Sequence, residues 1–326
     1  MTTRPRILVS LPVALPGDLR AELAARFDIV DLPCGSRPAD ALPADVRAGI
    51  QGQLITPHSR VDQDLMQSLP GLRVSSNCSV GYDNVDVAAA NRHKVLICNT
   101  PNVLNGAVAD VVVGLMLCLA RNLVAGDAFV RSGAWTRGPF PLTHDIRGKT
   151  FGLLGMGRIG RVVARSVQAF DMKVTYHNRR RDDEAETLGL ASYVDRDTLF
   201  READVLCVLI PLNAETRHCV GAREFGMMKP TAYLINTARG AVLDEAALID
   251  ALRGGKIAGA GLDVMETEPL PADSPLCSLP NVVLQAHVGS ATHETRRAMS
   301  ELAVQNLIDA LTGMRPTTMV NPELWD

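Results

Sequence analysis

Three polar side chains of complementary chemistry each follow, within a few residues, an apolar run of the strand type. They are Arg239, Glu268 and His287. Because the carboxyl ends of parallel strands meet at one edge of an open α/β sheet, where ligands bind, we expect these side chains to lie at that edge. Each alone has an ordinary explanation, as a surface arginine, a solvated acid or a core histidine. All three at one edge indicate a functional site.

These residue types suit the reduction of a 2-keto acid by hydride transfer. A guanidinium group binds a carboxylate through two parallel hydrogen bonds, so Arg239 is predicted to hold the substrate. Histidine can donate a proton near neutral pH to the alkoxide that forms, which fits His287. A neighbouring carboxylate favours and orients the protonated imidazole, which fits Glu268.

A glycine-rich turn indicates how a hydride carrier would be bound. An apolar strand is followed by the sequence Gly155-Met156-Gly157-Arg158-Ile159-Gly160, which opens an amphipathic helix. The first glycine permits the tight turn, the second lets the backbone approach a pyrophosphate, and the third brings helix and strand together. The helix N-terminus adds N–H donors and a positive dipole. The pattern alone is weak, but between a strand and a helix it predicts a dinucleotide site.

The end of the next strand favours NADP(H) over NAD(H). In NAD-binding domains an acidic residue about 20 residues beyond the turn binds the ribose hydroxyls. This chain instead reads Asn178-Arg179-Arg180-Arg181, without a carboxylate. Guanidinium groups bind phosphate by charge-assisted hydrogen bonds, so Asn178, Arg179 and Arg180 are predicted to contact a 2′-phosphate. The alternative is a solvated basic turn.

The order of apolar runs predicts an α/β protein with two doubly wound, mainly parallel sheets, because strands alternate with helices. The predicted strands are Arg6–Leu11, Phe27–Leu32, Gln53–Thr56, Leu72–Ser76 and Val95–Asn99, then Thr150–Leu154, Lys173–Asn178, Val205–Ile210, Ala232–Asn236, Gly259–Val264 and Val282–Ala286. The main predicted helices are Asn105 to about Val124, Ile159–Phe170, Asp244–Arg253 and Thr292–Leu311.

The length of 326 residues favours two domains over a single core. The last predicted helix has no strand after it, so we expect the chain to return to the first domain. The predicted division is residues 1–101 and 288–326 for the substrate domain, and 102–287 for the dinucleotide domain.

Composition narrows the range of partners and compartments. The net charge is −3 with no basic block, so no nucleic-acid partner is expected. The longest apolar stretch, Val111–Ala120, is too short to span a bilayer, so no membrane association is expected. Seven scattered cysteines without a Cys-x-x-Cys pair favour reduced thiols and a cytoplasmic location. His287 and His293 lack metal-ligand spacing with nearby cysteines or carboxylates, so no metal is expected.

The chain resembles the D-isomer-specific 2-hydroxyacid dehydrogenases, in particular the glyoxylate/hydroxypyruvate reductases. The resemblance runs from about Leu54 to Thr312. It rests on the 155–160 turn and on the segments Ser79–Asp83, Asn99–Pro101, Asn236–Gly240, Gly261–Val264 and His287–Thr292.

The resemblance implies a flavodoxin-like substrate domain, a Rossmann dinucleotide domain and a homodimer formed through the latter. It assigns catalysis to His287, Glu268 and Arg239. Substrate contacts are implied at Leu54, Val80, Gly81, Arg239, His287 and Ser290. Beyond the turn and the Asn178–Arg180 segment, cofactor contacts are implied at Pro211, Thr216, Thr237, Asp263 and Gly289.

The substrate side chain stays open at this point. Glyoxylate and hydroxypyruvate compete with bulkier acids, such as hydroxyphenylpyruvate and keto-sugar acids, and the deciding residues are expected around Leu54–Thr56, Asn77–Ser79 and Trp135. A dinucleotide-sensing regulator without catalysis is the more distant alternative, and the complete Arg, Glu and His set counts against it. Formate dehydrogenases carry Gln beside the histidine, so Glu268 favours a 2-hydroxy acid.

Overall fold

The computed structural model describes residues 4–325, which divide into two compact units. The first unit contains residues 4–104 and 292–325, and the second contains residues 105–291. Each unit is built on one parallel sheet, so the expected α/β class with two parallel sheets is confirmed.

The chain passes from the first unit to the second after residue 104 and returns after residue 291, a few residues beyond the expected boundaries at 101 and 287. The first helix of the second unit begins only at Asn105, so the loop before it stays with the first unit. The Val288 and Gly289 N–H groups donate to the Asp263 carboxylate, which keeps that segment with the second unit.

The first unit has a five-stranded sheet in the order β2-β1-β3-β4-β5, an order found in flavodoxin-like folds. Its strands are β1 Arg6–Ser10, β2 Asp28–Asp31, β3 Ile50–Ile55, β4 Val74–Asn77 and β5 Leu96–Cys98. Its helices are α1 Gly17–Arg26, α2 Pro38–Ala41, α3 Ala44–Ala48, α4 Gln63–Ser68, α5 Val87–His93 and the C-terminal α13 His293–Thr312. Helix α13 packs closely on β3, because a Cβ at Gly52 would lie 2.8 Å from Leu307.

The second unit has a seven-stranded parallel sheet in the order β12-β11-β10-β9-β6-β7-β8. Its strands are β6 Thr150–Leu154, β7 Lys173–His177, β8 Ser192–Tyr193, β9 Val205–Val208, β10 Tyr233–Asn236, β11 Gly259–Leu262 and β12 Val282–Leu284. Its helices are α6 Asn105–Arg121, α7 Leu123–Arg131, α8 Arg158–Gln168, α9 Asp183–Thr187, α10 Arg196–Glu202, α11 Ala222–Met227 and α12 Glu245–Arg253. The strand order reverses between β6 and β9, which is where dinucleotides bind in such sheets.

Two features of the second unit differ from the expectation. The sheet has a seventh strand, β8, whose two residues pair with Thr175 and Tyr176 at the sheet edge and are too few to produce a pattern. The long helix expected from Asn105 ends at Arg121, because Asn122 adopts a left-handed conformation with φ 51°. Helix α7 then continues at an angle of 60°.

Across residues 4–325, no single helix is long and apolar enough to cross a membrane, and only the bent α6–α7 pair meets that test jointly.

The seven cysteines are free thiols with different exposure. Cys78, Cys98 and Cys207 are buried, Cys34, Cys118 and Cys219 are half-buried, and Cys277 is exposed. Burial raises the pKa of Cys78 to about 11 and that of Cys98 to about 12, so neither is ionised near neutral pH.

Candidate active site

The structure places Arg239, Glu268 and His287 in the loops that follow three neighbouring strands. These strands, β10, β11 and β12, are parallel and hydrogen-bonded in sequence at one side of the sheet. All three side chains therefore start from the carboxyl edge of the second unit's sheet, as the apolar runs predicted.

Glu268 and His287 form a direct pair. The Glu268 Oε2 atom lies 2.7 Å from His287 Nδ1, and Glu268 Oε1 accepts the Met265 N–H over 3.0 Å. Burial raises the pKa of Glu268, but the hydrogen bonds from His287 and Met265 and the charges of His287 and Arg239 outweigh it, so the net pKa lies below the usual value. The carboxylate is thus ionised at neutral pH and can hold a protonated imidazole.

The backbone of His287 is held in an unusual conformation. Its φ is 54°, in the left-handed region that non-glycine residues rarely adopt. Its N–H donates to the Asp263 carbonyl over 2.9 Å. Such strain persists where the surroundings over-determine the backbone, and it concentrates at functional sites.

Asp263 supplies much of that constraint. Its side chain is almost fully buried, and its two oxygens accept the Val288 N–H at 2.7 Å and the Gly289 N–H at 2.9 Å. A Cβ at Gly289 would lie 3.0 Å from the Asp263 carboxylate, so a glycine lets the backbone approach this closely. Asp263 thereby fixes the segment that follows His287, including the turn with the half-buried Ser290.

Arg239 follows a turn that is shaped by Asn236. The buried Asn236 carboxamide accepts the Ala238 N–H and donates to the Arg239 carbonyl, each over 3.0 Å. Next in the chain, Gly240 lies directly against the turn that carries Glu268, since a Cβ there would sit 1.9 Å from the Met265 backbone. The backbones of the Arg239 loop and the Glu268 turn are therefore in direct contact, and no side chain at position 240 would fit between them.

The 155–160 turn has the steric features of a dinucleotide site. Gly155 has φ 111°, and a Cβ there would lie 2.9 Å from the Leu209 backbone. A Cβ at Gly160 would lie 2.7 Å from the Gly155 carbonyl oxygen, whereas nothing lies within 4 Å of one at Gly157. The first N–H groups of α8, those of Arg158, Ile159 and Gly160, have no acceptor within the helix, so they suit a phosphate.

Asn178 is engaged differently from the expectation that it contacts phosphate. Its Oδ1 accepts the Met156 N–H over 2.7 Å and its Nδ2 donates to the Met156 carbonyl over 2.8 Å. Both hydrogen-bonding groups of the carboxamide are thus used to hold the glycine-rich turn. An aspartate could not donate the second bond, which gives a structural reason for asparagine here.

The three arginines after Asn178 divide into two kinds. Arg181 pairs with Glu186 and stacks over the Tyr193 ring at 5.2 Å. Arg179 lies 3.6 Å from Glu215, with both side chains mostly exposed. Arg180 is exposed and makes no ion pair among residues 4–325. Arg179 and Arg180 therefore remain accessible to an anion, while Arg181 is used within the fold.

The remaining cofactor candidates also lie on loops at this edge. Thr216 donates to the Pro211 carbonyl over 2.6 Å and so shapes the loop after β9. The buried Thr237 hydroxyl, after β10, lies beside the Cys207 thiol.

In the first unit, hydrogen bonds to neighbouring carbonyls fix the direction of the Val80 and Gly81 N–H groups. The Ser79 carbonyl accepts the Thr100 N–H, and the Val80 carbonyl accepts Asn99 Nδ2 over 2.9 Å. Each N–H points opposite to the carbonyl of the same peptide unit, so those of Val80 and Gly81 point away from these partners. Neither N–H has an acceptor within residues 4–325.

Leu54, like Asp263 and Gly289, is buried. Its side chain lies within β3, the middle strand of its sheet.

Sequence reasoning gave no role to Asn99 or Asn236. Each lies at or just beyond the end of a strand, where its carboxamide shapes the loop that follows. A buried asparagine at the carboxyl end of an apolar run is the signal that points to them.

Comparisons with known proteins decide the family. Residues 113–289 match the model of the D-isomer specific 2-hydroxyacid dehydrogenase, NAD binding domain. The chain belongs to the D-isomer-specific 2-hydroxyacid dehydrogenase family. As a member it is an oxidoreductase that uses a nicotinamide dinucleotide. The resemblance read from the segments above is confirmed.

Relatives with assigned activities cover almost the whole chain. Over 312 residues it is 47% identical to glyoxylate/hydroxypyruvate reductase B of Salmonella paratyphi C, covering 95% of this chain and 96% of that protein. The NADPH-dependent glyoxylate/hydroxypyruvate reductase of Sinorhizobium meliloti, crystallised with NADP and malonate, superposes with a TM-score of 0.88 at 39% identity, covering 98% and 97%. A glyoxylate reductase from Paecilomyes thermophila gives 0.89 at 33% identity, covering 99% and 100%.

Replacing Asp263 by asparagine tests how this dehydrogenase holds its histidine segment. The amide can accept only one of the two N–H groups, so one stays unsatisfied at a cost of about 1–3 kcal/mol. We expect a lower melting temperature together with a lower kcat, because the segment of His287 shifts. Asp195→Ala, which removes the N-cap of α10, is the matched control and should lower the melting temperature alone. Equal kcat in both variants would contradict the role of Asp263.

Proposed function

We propose that the protein reduces a small 2-keto acid, such as glyoxylate or hydroxypyruvate, to the D-2-hydroxy acid with NADPH. The observation that carries the proposal is the 2.7 Å Glu268–His287 pair, on the sheet edge that also carries the 155–160 turn. The names of the Salmonella and Sinorhizobium relatives support the substrate class and the cofactor.

His287 is the proposed proton donor. Its Nδ1 is hydrogen-bonded to Glu268, so Nε2 is the atom left to give a proton to the substrate oxygen. The ionised Glu268 favours the imidazolium and fixes the orientation of the ring. Bound NADPH supplies the hydride, and the proton from His287 completes the hydroxyl group.

Within the second unit, the substrate carboxylate is assigned to Arg239. Arg239 offers a planar fork that matches two carboxylate oxygens. Within the first unit, the Val80 and Gly81 N–H groups lack acceptors in the described chain. They are oriented by the hydrogen bonds that the Ser79 and Val80 carbonyls accept, so they can donate to an anion without rearrangement. Holding the keto acid by its carboxylate orients its carbonyl for hydride transfer.

NADPH is assigned to the second unit. The N–H groups at the start of α8 would hold the pyrophosphate, with Pro211, Thr216, Thr237, Asp263 and Gly289 as further contacts. Asn178 acts through the turn, since it holds Met156. Arg179 and Arg180 would bind the 2′-phosphate, because Arg181 is already paired.

The test compares NADPH and NADH with glyoxylate, hydroxypyruvate and the bulkier hydroxyphenylpyruvate. For wild type, kcat/KM with NADPH should exceed that with NADH by about tenfold or more, since each charge-assisted hydrogen bond contributes about 1.5–3 kcal/mol. Arg179→Ala with Arg180→Ala should remove most of this preference and leave NADH use unchanged. The control, Arg147→Ala, alters another exposed arginine of the same unit and should leave the preference unchanged.

Equal or better use of NADH by wild type would contradict the assignment of the 2′-phosphate. A preference for hydroxyphenylpyruvate would replace the small substrate by the bulkier alternative. The absence of any 2-keto acid reduction would overturn the proposed function.

A homodimer formed through the second unit is part of the proposal. Helix α7 has no buried residue, although Leu123, Val124 and Val130 lie on it. Trp135 and Leu142 follow, and Leu142 is fully exposed. Monomers rarely leave so many large apolar side chains on one short segment in water. A second copy of the chain is the occupant that the family resemblance implies.

Charged substitutions test this interface. Val124→Glu with Leu142→Glu should give monomers by light scattering, because burying two carboxylates costs far more than the contact provides. The control, Leu188→Glu, alters an exposed apolar residue of the same unit outside the segment and should leave the dimer intact. A monomeric wild type, or a doubly substituted dimer, would contradict the interface.

A further inference from the structure

A second imidazole–carboxylate pair lies beside the turn that carries Glu268. His218 Nε2 is 2.7 Å from Glu266 Oε1. His218 belongs to the loop after β9, and Glu266 lies two residues before Glu268. Neither residue has a part in the chemistry proposed above, and both side chains are partly exposed.

His218 is fixed to the loop that follows Arg239. Its N–H donates to the Ala241 carbonyl over 2.9 Å. Two residues later, Val220 exchanges hydrogen bonds with the same loop, donating to Val242 and accepting from Asp244. Residues 218–220 therefore run alongside residues 241–244, directly after Arg239 and Gly240.

Glu266 is held from a second side as well. Its N–H donates to Glu245 Oε2 over 3.0 Å, in the first turn of α12. The Gly240 backbone packs against Met265 and Glu266, with 2.3 Å between a Cβ at Gly240 and the Glu266 nitrogen. Three segments thus meet here: the loop after β9, the loop after Arg239 and the turn that carries Glu268. The His218 imidazole joins the loop after β9 to the Glu268 turn.

The backbone conformation of His218 indicates that its imidazole ring is needed at this position. Its φ is 52°, a left-handed conformation that asparagine and glycine adopt at less cost. Strain of this kind is retained where the side chain is needed in that place. The ring of His218 faces Glu266, whose N–H donates to Glu245. His287 faces Glu268, with the charge of Arg239 nearby.

We propose that His218 and Glu266 form a positioning pair that keeps the Glu268 turn in register with the Arg239 loop. The turn spans only residues 265–268, and Glu268 accepts the N–H of Met265 within it. A displacement at Glu266 is therefore passed to the carboxylate that holds His287. Catalytic groups need placement within about 0.5 Å, which residues behind them provide. The inference rests on the proposed function of Glu268 and His287.

His218→Asn is the decisive variant, because asparagine tolerates the left-handed backbone but is too short to reach Glu266. We expect kcat for hydroxypyruvate to fall about tenfold, the order typical of residues that orient catalytic groups. The Kd for NADPH should not change. The alkaline limb of the pH–rate profile should move to lower pH, because Glu268 no longer holds the imidazolium.

His218→Gln places its Nε2 where the imidazole Nε2 lies and should restore most of kcat. Glu266→Ala should match His218→Asn, and the doubly substituted protein should lose no more than either single variant, as expected for one coupled pair. Lys229→Ala is the matched control, because it breaks a partly exposed 2.8 Å pair with Asp204 at the amino end of β9. It should change neither kcat nor the profile.

A wild type that reduces no 2-keto acid overturns the proposed function and this inference together. An active wild type whose His218→Asn variant behaves like Lys229→Ala overturns the inference alone. Additive losses in the doubly substituted protein, or no recovery with His218→Gln, also contradict it.

Discussion

The hydrogen bond between Glu268 and His287 is the interaction on which the rest of the site depends. It joins the ends of two neighbouring strands, β11 and β12, so it exists only if their register and following turns are correct. Desolvation opposes ionisation of Glu268, and the His287 and Met265 hydrogen bonds overcome it. The structure thus uses the fold to place a charge where it can stabilise an imidazolium.

A second constraint is that loops at the sheet edge are shaped by polar side chains at or near strand ends. Asp263 holds the N–H groups after His287, Asn236 holds the turn of Arg239, and Asn178 holds Met156 in the glycine-rich turn. In the first unit Asn99 does the same for Val80. These side chains satisfy backbone groups that have left the sheet, and they fix loops that would otherwise be mobile.

The sequence predicted the parallel sheets, the 155–160 turn and the position of the three polar residues after their strands. These features follow from the alternation of apolar runs, and such local periodicity is the main sequence signal for strands and helices. It missed strand β8, whose two residues carry no period, and the break at Asn122, which depends on a left-handed residue. It assigned Asn178 to a phosphate, whereas the carboxamide is used by Met156, because hydrogen bonds between distant segments leave no local signal. The His218–Glu266 contact spans 48 residues and was equally invisible.

The most direct measurement is the pH dependence of kcat/KM for hydroxypyruvate reduction by wild type and Glu268→Gln. Glutamine keeps the shape and an acceptor for His287 Nδ1 but removes the charge that favours the protonated ring. Reduction requires that proton, so we expect activity to fall off at lower pH in the variant, with the alkaline limb displaced and NADPH binding unchanged. An alkaline limb that stays in place would contradict this, because it would show that Glu268 does not hold the proton donor.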